Sequence, residues 1–399
     1  MIKELELYVH IPFCARKCAY CDFLSFPAKR EVQEKYVDCL IEEIRQFEFG
    51  KDYRVSTVFF GGGTPSILPG EDIARILSAL RRQFPRWGDT TEGFPGMQNQ
   101  TGTCPEITIE CNPGTLTKEK LACYKRAGVN RLSIGLQSAQ DRELAALGRI
   151  HSYEKFTESF FLAREAGFSN INIDLMSALP GQNMESWRDT LHRVCRLSPE
   201  HISAYSLIIE EGTPFFEAYG EDVRRRDAGE IPQSLPSEEM ERQMYEETKQ
   251  ILAETGYKRY EISNYAKEGY ACRHNIGYWK RADYVGFGLG ASSLQNPLRY
   301  KNTSVLEDYL KGDFSKKELL VLTKDNQIEE TMFLGLRMTE GVSLQKFEER
   351  FSCSARIVYG KQIRELTQKG LLEEKGGRVR LTERGVDLSN TVLAEFLLE

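Results

Sequence analysis

Short apolar runs and amphipathic stretches alternate along the chain up to Ser206. Leu5 to Ile11, Val55 to Phe60, Glu106 to Cys111, Arg131 to Leu136, Asn170 to Leu175 and His201 to Ser206 have the length and β-branched content of buried strands. Between them, Glu31 to Phe49 sets Val32, Tyr36, Leu40, Ile44 and Phe47 at helical spacing. Pro69 to Phe84 repeats the pattern with Ile73, Ile76, Leu77 and Leu80. Lys118 to Ala127, Ser152 to Ala166 and Met184 to Leu197 continue it. This alternation predicts an α/β fold of βα units around a parallel sheet, with its chemistry at the carboxyl ends of the strands.

Two segments break the pattern. Pro85 to Pro105 is rich in Gly, Thr, Gln and Asn and reads as a long surface loop, a tolerated insertion rather than a lid. Tyr219 to Glu239 mixes Arg224-Arg225-Arg226 with Pro and Gly and reads as a solvated connector. Ser237 to Thr255 is predicted as a helix capped by Ser237, with Met240, Met244, Ile251 and Leu252 turned inward. From Lys316 onward, helices are expected over 326–338, 343–351 and 355–369, then a hairpin over Leu371 to Leu381 turning at Gly376-Gly377. Three helices and a hairpin suggest a winged-helix-like module. The expected units are a core over 1–215, an extension over 216–315 and the C-terminal module over 316–399.

Charge narrows the function classes. The 399 residues hold 53 Lys and Arg against 59 Asp and Glu, a net charge of −6. Nucleic-acid binders need a cationic surplus to release phosphate counterions. From Lys316 the balance is fourteen basic to fourteen acidic residues, so a DNA-reading wing is disfavoured. Met1 to Glu6 carries charges where a secretory signal needs an apolar core. No apolar run approaches the roughly 20 residues that span a bilayer. Of ten cysteines only Cys14, Cys18 and Cys21 cluster, so no disulfide framework is expected. These features predict a cytoplasmic protein whose reduced thiols can bind metal. Its acidic surface permits a homodimer without requiring one.

The strongest chemical signal is His10-Ile-Pro-Phe-Cys14-Ala-Arg-Lys-Cys18-Ala-Tyr20-Cys21-Asp-Phe23, in the loop after the first strand. Three thiolates so close can bind an iron–sulfur cluster or contribute to a zinc site. Structural zinc usually takes four protein ligands, and no second CxxC or His pair follows. Three thiolates on a four-iron cluster leave one iron open. Gly61-Gly62-Gly63-Thr64-Pro65-Ser66 follows the second strand. Such a run serves either a tight turn or close approach of backbone N–H groups to a ligand, and it lacks the Lys of a P-loop. Glu110, Gln137 and Asp174 end three further strands. Singly each suits a cap or hydrogen bond; together they suit one pocket rim.

The CxxxCxxC loop resembles that of the radical S-adenosylmethionine (SAM) superfamily. The resemblance implies a (βα)6 partial barrel, a [4Fe–4S] cluster on Cys14, Cys18 and Cys21, and an open iron that chelates SAM and splits it to a deoxyadenosyl radical. The whole set resembles one subgroup, the oxygen-independent coproporphyrinogen III oxidases and their relatives, the HemW haem chaperones. That match runs from Tyr8 to about Ser293 and, more loosely, through the C-terminal module. It implies that Tyr8, Tyr20, Gly62 and Glu110 contact SAM. It likewise implies that Gly63, Thr64, Gln137, Arg149 and Asp174 match positions that hold a second SAM in the oxidase.

Two features separate the two kinds of relative. The oxidase carries a fourth cysteine two residues after the third, where this chain has Phe23, and the CxYCxF form is that of the chaperones. The oxidase also carries an extension ahead of its cysteine loop, which this chain is expected to lack. His274-Asn275-Ile276-Gly277-Tyr278-Trp279 is an HNxxYW motif similar to that of the chaperones. Imidazole suits haem iron, and Tyr278 and Trp279 offer flat apolar surfaces. Equally, a buried histidine beside packing aromatics would read the same way. The resemblance thus implies a chaperone that binds cluster, SAM and haem and delivers haem to acceptor proteins, helped by an electron donor. The alternative it leaves is oxidative decarboxylation of coproporphyrinogen III.

Overall fold

The computed structural model describes residues 2–88 and 104–398. Six parallel βα steps build the first half: β1 (Lys3–Ile11), α1 (Arg30–Gln46), β2 (Tyr53–Gly62), α2 (Gly70–Gln83), β3 (Glu106–Cys111), α3 (Lys118–Ala127), β4 (Arg131–Gln137), α4 (Asp141–Ala146), α5 (Tyr153–Glu165), β5 (Ile171–Ser177), α6 (Met184–Leu197) and β6 (His201–Ser206). Each predicted strand forms within a few residues of its expected ends. The long loop expected over 85–105 is described only at its edges, where Trp87 bridges Val55; residues 89–103 lie outside the described residues.

The expected connector over Tyr219 to Glu239 is corrected by the structure. Its first half belongs to α7 (Pro214–Asp227), capped by Thr213 and started by Pro214 at the first turn. The Arg224–Arg226 run that suggested a solvated linker lies in its last turn, where cations suit the helix dipole. α8 (Glu238–Glu254) follows, with Ser237 accepting from the Met240 N–H as expected. Next come β7 (Lys258–Arg259), β8 (Asn264–Ala266), α9 (Arg273–Trp279), β9 (Tyr284–Phe287), β10 (Ser292–Gln295), β11 (Leu298–Lys301), α10 (Leu306–Leu310) and β12 (Lys317–Val321).

All these strands join one sheet of order β12-β11-β10-β9-β1-β2-β3-β4-β5-β6-β8-β7, which stays open at both edges. Side chains alternate across it. Leu7, Val9, Val58, Phe60, Ile107, Ile109, Leu132, Ile134 and Ile173 are buried in the main apolar core. The opposite face is polar and runs in rows set by the strand register. Glu6, Thr57 and Glu106 form one row near the amino ends. His10, Gly61 and Glu110, Ser133, Asn172, His201 lie further along.

The C-terminal module has its own core. α11 (Lys324–Gly335), β13 (Val342–Ser343), α12 (Leu344–Phe351), α13 (Ala355–Gln368), β14 (Leu372–Lys375), β15 (Arg378–Leu381), α14 (Glu383–Asp387) and α15 (Ser389–Ala394) follow in order. The three strands pair as β13-β15-β14 beneath the helices, the winged-helix-like arrangement expected. Ile328, Met332, Phe347, Tyr359, Ile363 and Val379 fill its interior. Arg281, fully buried at its side chain, joins it to the barrel through Glu330 at 2.6 Å.

Candidate functional site

The polar face becomes a cleft at the carboxyl ends of the strands, as the fold class requires. Cys14, Cys18 and Cys21 line it together with Tyr20, Gly62, Gly63, Thr64, Glu110, Gln137, Arg149 and Asp174. Residues chosen from six separate stretches of sequence thus share one cavity. Tyr8 stands beside it on β1, its hydroxyl 3.1 Å from Nδ1 of His10.

Backbone geometry explains the glycines. Gly62 has φ +109°, and a Cβ there would sit 2.4 Å from the His10 ring. A Cβ on Gly63 would sit 2.7 Å from the Phe13 carbonyl oxygen. The cysteine loop and the glycine run therefore lie backbone against backbone, with Thr64 N–H donating to the Phe13 carbonyl at 2.8 Å. Thr64 Oγ1 donates to Cys14 Sγ at 3.4 Å. The far side of the loop is pinned by Ala19, whose N–H meets the Leu147 carbonyl and whose carbonyl accepts from Phe215.

Arg149 organises the rim. Its guanidinium donates to Cys18 Sγ at 3.6 Å, to Asn112 Oδ1 at 2.8 Å and to the Gly135 carbonyl at 2.7 Å. Asn112 in turn donates to Thr64 Oγ1 at 2.8 Å. Gln137 holds a left-handed backbone, φ 73°, and its side-chain carbonyl accepts from Tyr205 at 3.1 Å. Asn112 and Tyr205 both line the cleft, and neither was singled out in the sequence. The turn residues Asn112-Pro113-Gly114 were the available signal for the first; a lone strand tyrosine gave none for the second.

Electrostatics follow from burial. Glu110 accepts from the Gly62 N–H at 3.2 Å. Burial, reinforced by the Asp174 carboxylate, pushes Glu110 up to about 8. Asp174 is also raised by burial, although Asn172 and Ser133 donate to it. Tyr8 is raised by burial and by Glu110. Burial raises the Cys21 thiol, so its thiolate asks for a cationic partner such as iron. Among the described residues no three His, Cys, Asp or Glu side chains close around a single ion. All ten cysteines are free, and three of them spread around one cleft suit a group with several metal atoms.

The HNxxYW residues lie elsewhere. α9 packs on β2 and α11, at the amino-end row of the polar face. Glu106 accepts from the N–H groups of Arg273 and His274, satisfying the start of the helix. His274 is 1% exposed. Its Nδ1 is 2.7 Å from Thr57 Oγ1 and its Nε2 3.1 Å from the Tyr278 hydroxyl, while its ring stacks on Phe59 at 5.1 Å. Burial drives it down to about 3, so it is neutral. Trp279 packs beneath Arg337, whose guanidinium lies 4.4 Å from the ring centre. The structure does not bring His274, Tyr278 and Trp279 to the cysteine cleft.

Residues 8–194 match the radical SAM superfamily and residues 322–388 the HemN C-terminal domain. The chain is 38% identical to the heme chaperone HemW of Lactococcus lactis, covering 100% of this chain and 98% of that one. It is 34% identical to the heme chaperone HemW of Escherichia coli, covering 100% and 99%. The structure of coproporphyrinogen III oxidase (HemN) from Escherichia coli is similar in fold, with a TM-score of 0.79 at 23% identity over 99% of this chain and 90% of that one.

Proposed function

This chain belongs to the HemW family of radical SAM proteins, and we propose that it is a haem chaperone that holds a [4Fe–4S] cluster and SAM and passes haem to acceptor proteins. The observation that carries the reading is the cleft in which the three loop cysteines meet the strand-end groups. Cys14, Cys18 and Cys21 would ligate the cluster, and a bound cluster supplies low-potential electrons and an open iron for SAM.

The chain's own residues do the rest. Thr64 and Arg149 donate to two of the ligating sulfurs, which stabilises their anionic form. The glycine run presents backbone N–H groups beside Glu110. Glu110 offers a carboxyl that can ionise when a cation arrives. Tyr20, packed on Phe215 at 6.2 Å between ring centres, helps keep water from the loop. An electron donor and a haem acceptor would be the protein partners.

Phe23 in place of the oxidase's fourth cysteine supports the chaperone reading over decarboxylation of coproporphyrinogen III. The test is anaerobic turnover by protein with an intact, SAM-binding cluster. We expect no protoporphyrinogen from coproporphyrinogen III, and haem transfer to an apo-haemoprotein. Protoporphyrinogen formation would overturn the reading in favour of the oxidase.

A further inference from the structure

A haem carrier needs an exposed apolar surface that can cover a flat macrocycle. His274 and Tyr278 do not offer one, because they are enclosed in the barrel floor. Three exposed apolar side chains lie on connections that meet beside the cysteine cleft. Phe23 is 69% exposed, Ile150 68% and Ile208 69%. Phe23 is on the loop after β1, Ile150 on the connection between α4 and α5, and Ile208 on the loop after β6. Phe23 lines the cleft itself, and Ile150 follows Arg149, which also lines it. The loops are tied together: Leu207, neighbour of Ile208, packs with Leu147, Ala19 and Tyr20.

Charge is distributed unevenly around this rim. Arg16 and Lys17 also line the cleft, and Lys17 donates to the Phe23 carbonyl at 3.1 Å. Glu210 and Glu211 follow Ile208-Ile209 in the chain and do not line the cleft. An apolar ring with two carboxylates on one edge therefore has one favoured orientation, its acids toward Arg16 and Lys17.

We propose that Phe23, Ile150 and Ile208 form the seat of haem at the mouth of the cluster cleft, with Arg16 and Lys17 receiving its propionates. This rests on the haem-chaperone reading above and places cargo, cluster and SAM on one face of the molecule.

The experiment is a hemin titration of the full chain with its cluster reconstituted, followed at the Soret band. Ile150→Asp/Ile208→Asp should weaken hemin binding by about tenfold or more while cluster absorbance and SAM binding persist. Ile208→Asp alone, on a loop separate from the cysteines, should act in the same direction. Arg16→Glu/Lys17→Glu should cost about threefold, and hemin dimethyl ester should lose a similar factor on the unaltered protein. Leu319→Asp/Leu320→Asp, on the exposed edge strand β12, should change nothing. Rim variants that bind hemin as tightly as the parent overturn the seat, as does an equal loss in the β12 variant. A parent protein that binds no hemin overturns the chaperone reading itself and the seat with it.

Discussion

The two ends of the polar barrel face are built from the same six strands and differ in what they leave accessible. At the floor, Glu6, Thr57 and Glu106 meet α9, and the groups are sealed in, with Glu6 Oε2 and Trp279 Nε1 buried without a hydrogen-bond partner. His274 has both ring nitrogens engaged. At the mouth, thiols, a raised carboxyl and backbone N–H groups surround a cleft. Histidine, tyrosine, glutamate and cysteine occur at both ends. Residue type therefore does not separate a site from a packed interior; access does, because the mouth groups line a cavity while His274 is 1% exposed.

The sharpest way to break this contrast is at the mouth. Cys18→Ala should abolish cluster absorbance entirely after anaerobic reconstitution, with circular dichroism and thermal unfolding close to the parent. A four-iron spectrum in that variant would show that the loop is not the cluster site.

The floor should give the opposite result. A Cβ on Gly277 would lie 1.8 Å from Glu6 Oε1, so Gly277→Ala should destabilise the fold by about 3 kcal/mol in denaturant titration. Cluster assembly at the mouth should survive. Glu6→Ala in the same chain should recover most of the loss, because it removes the clashing carboxyl. A cost of Gly277→Ala that Glu6→Ala leaves unchanged would place the strain elsewhere.

A third prediction concerns protons. Glu110 in the free cleft is held up at about 8, so near neutrality it is mostly protonated. A cationic ligand such as SAM favours the carboxylate, and binding then expels the proton. Apparent SAM affinity should rise by about tenfold from pH 7 to pH 9, levelling above 8. The ligand-free fold should lose stability over the rising pH range, since the raised group is most favourable when neutral. Glu110→Gln should flatten both slopes in calorimetric titration.

The smallest effect lies where α9 meets Arg337. Trp279→Leu removes the Arg337 stacking contact and should cost about 0.5–1 kcal/mol, seen as a slight fall in unfolding midpoint.

Much of this architecture was legible from period and spacing. The six parallel strands announced themselves as apolar runs ended by Pro, Gly or a polar residue, and the cysteine loop by its interval. The short strands β7 to β12 did not, because two to five residues carry too little period to register. α7 was missed because Arg224-Arg225-Arg226 outweighed the Thr213-Pro214 start signal. In the cleft, Cys14, Cys18 and Cys21 and the strand-end residues were readable. Asn112 and Tyr205 were not, since each acts through a partner distant in sequence. His274 was ambiguous for the same reason: its Nδ1 is engaged by Thr57, more than two hundred residues away.

The neighbours of β1 also set an order of assembly. It pairs with β2 on one side and with Tyr284–Phe287 on the other. On a ribosome the cysteine loop would emerge long before Tyr284–Phe287, so one edge of the strand that carries it stays bare until residue 287 has been made. Until then nascent chains expose the cluster loop on an unclosed sheet. Metal loaded during translation would meet a flexible loop, and metal loaded after release a pre-shaped one. The timing of iron supply relative to synthesis therefore falls within reach of this one pairing.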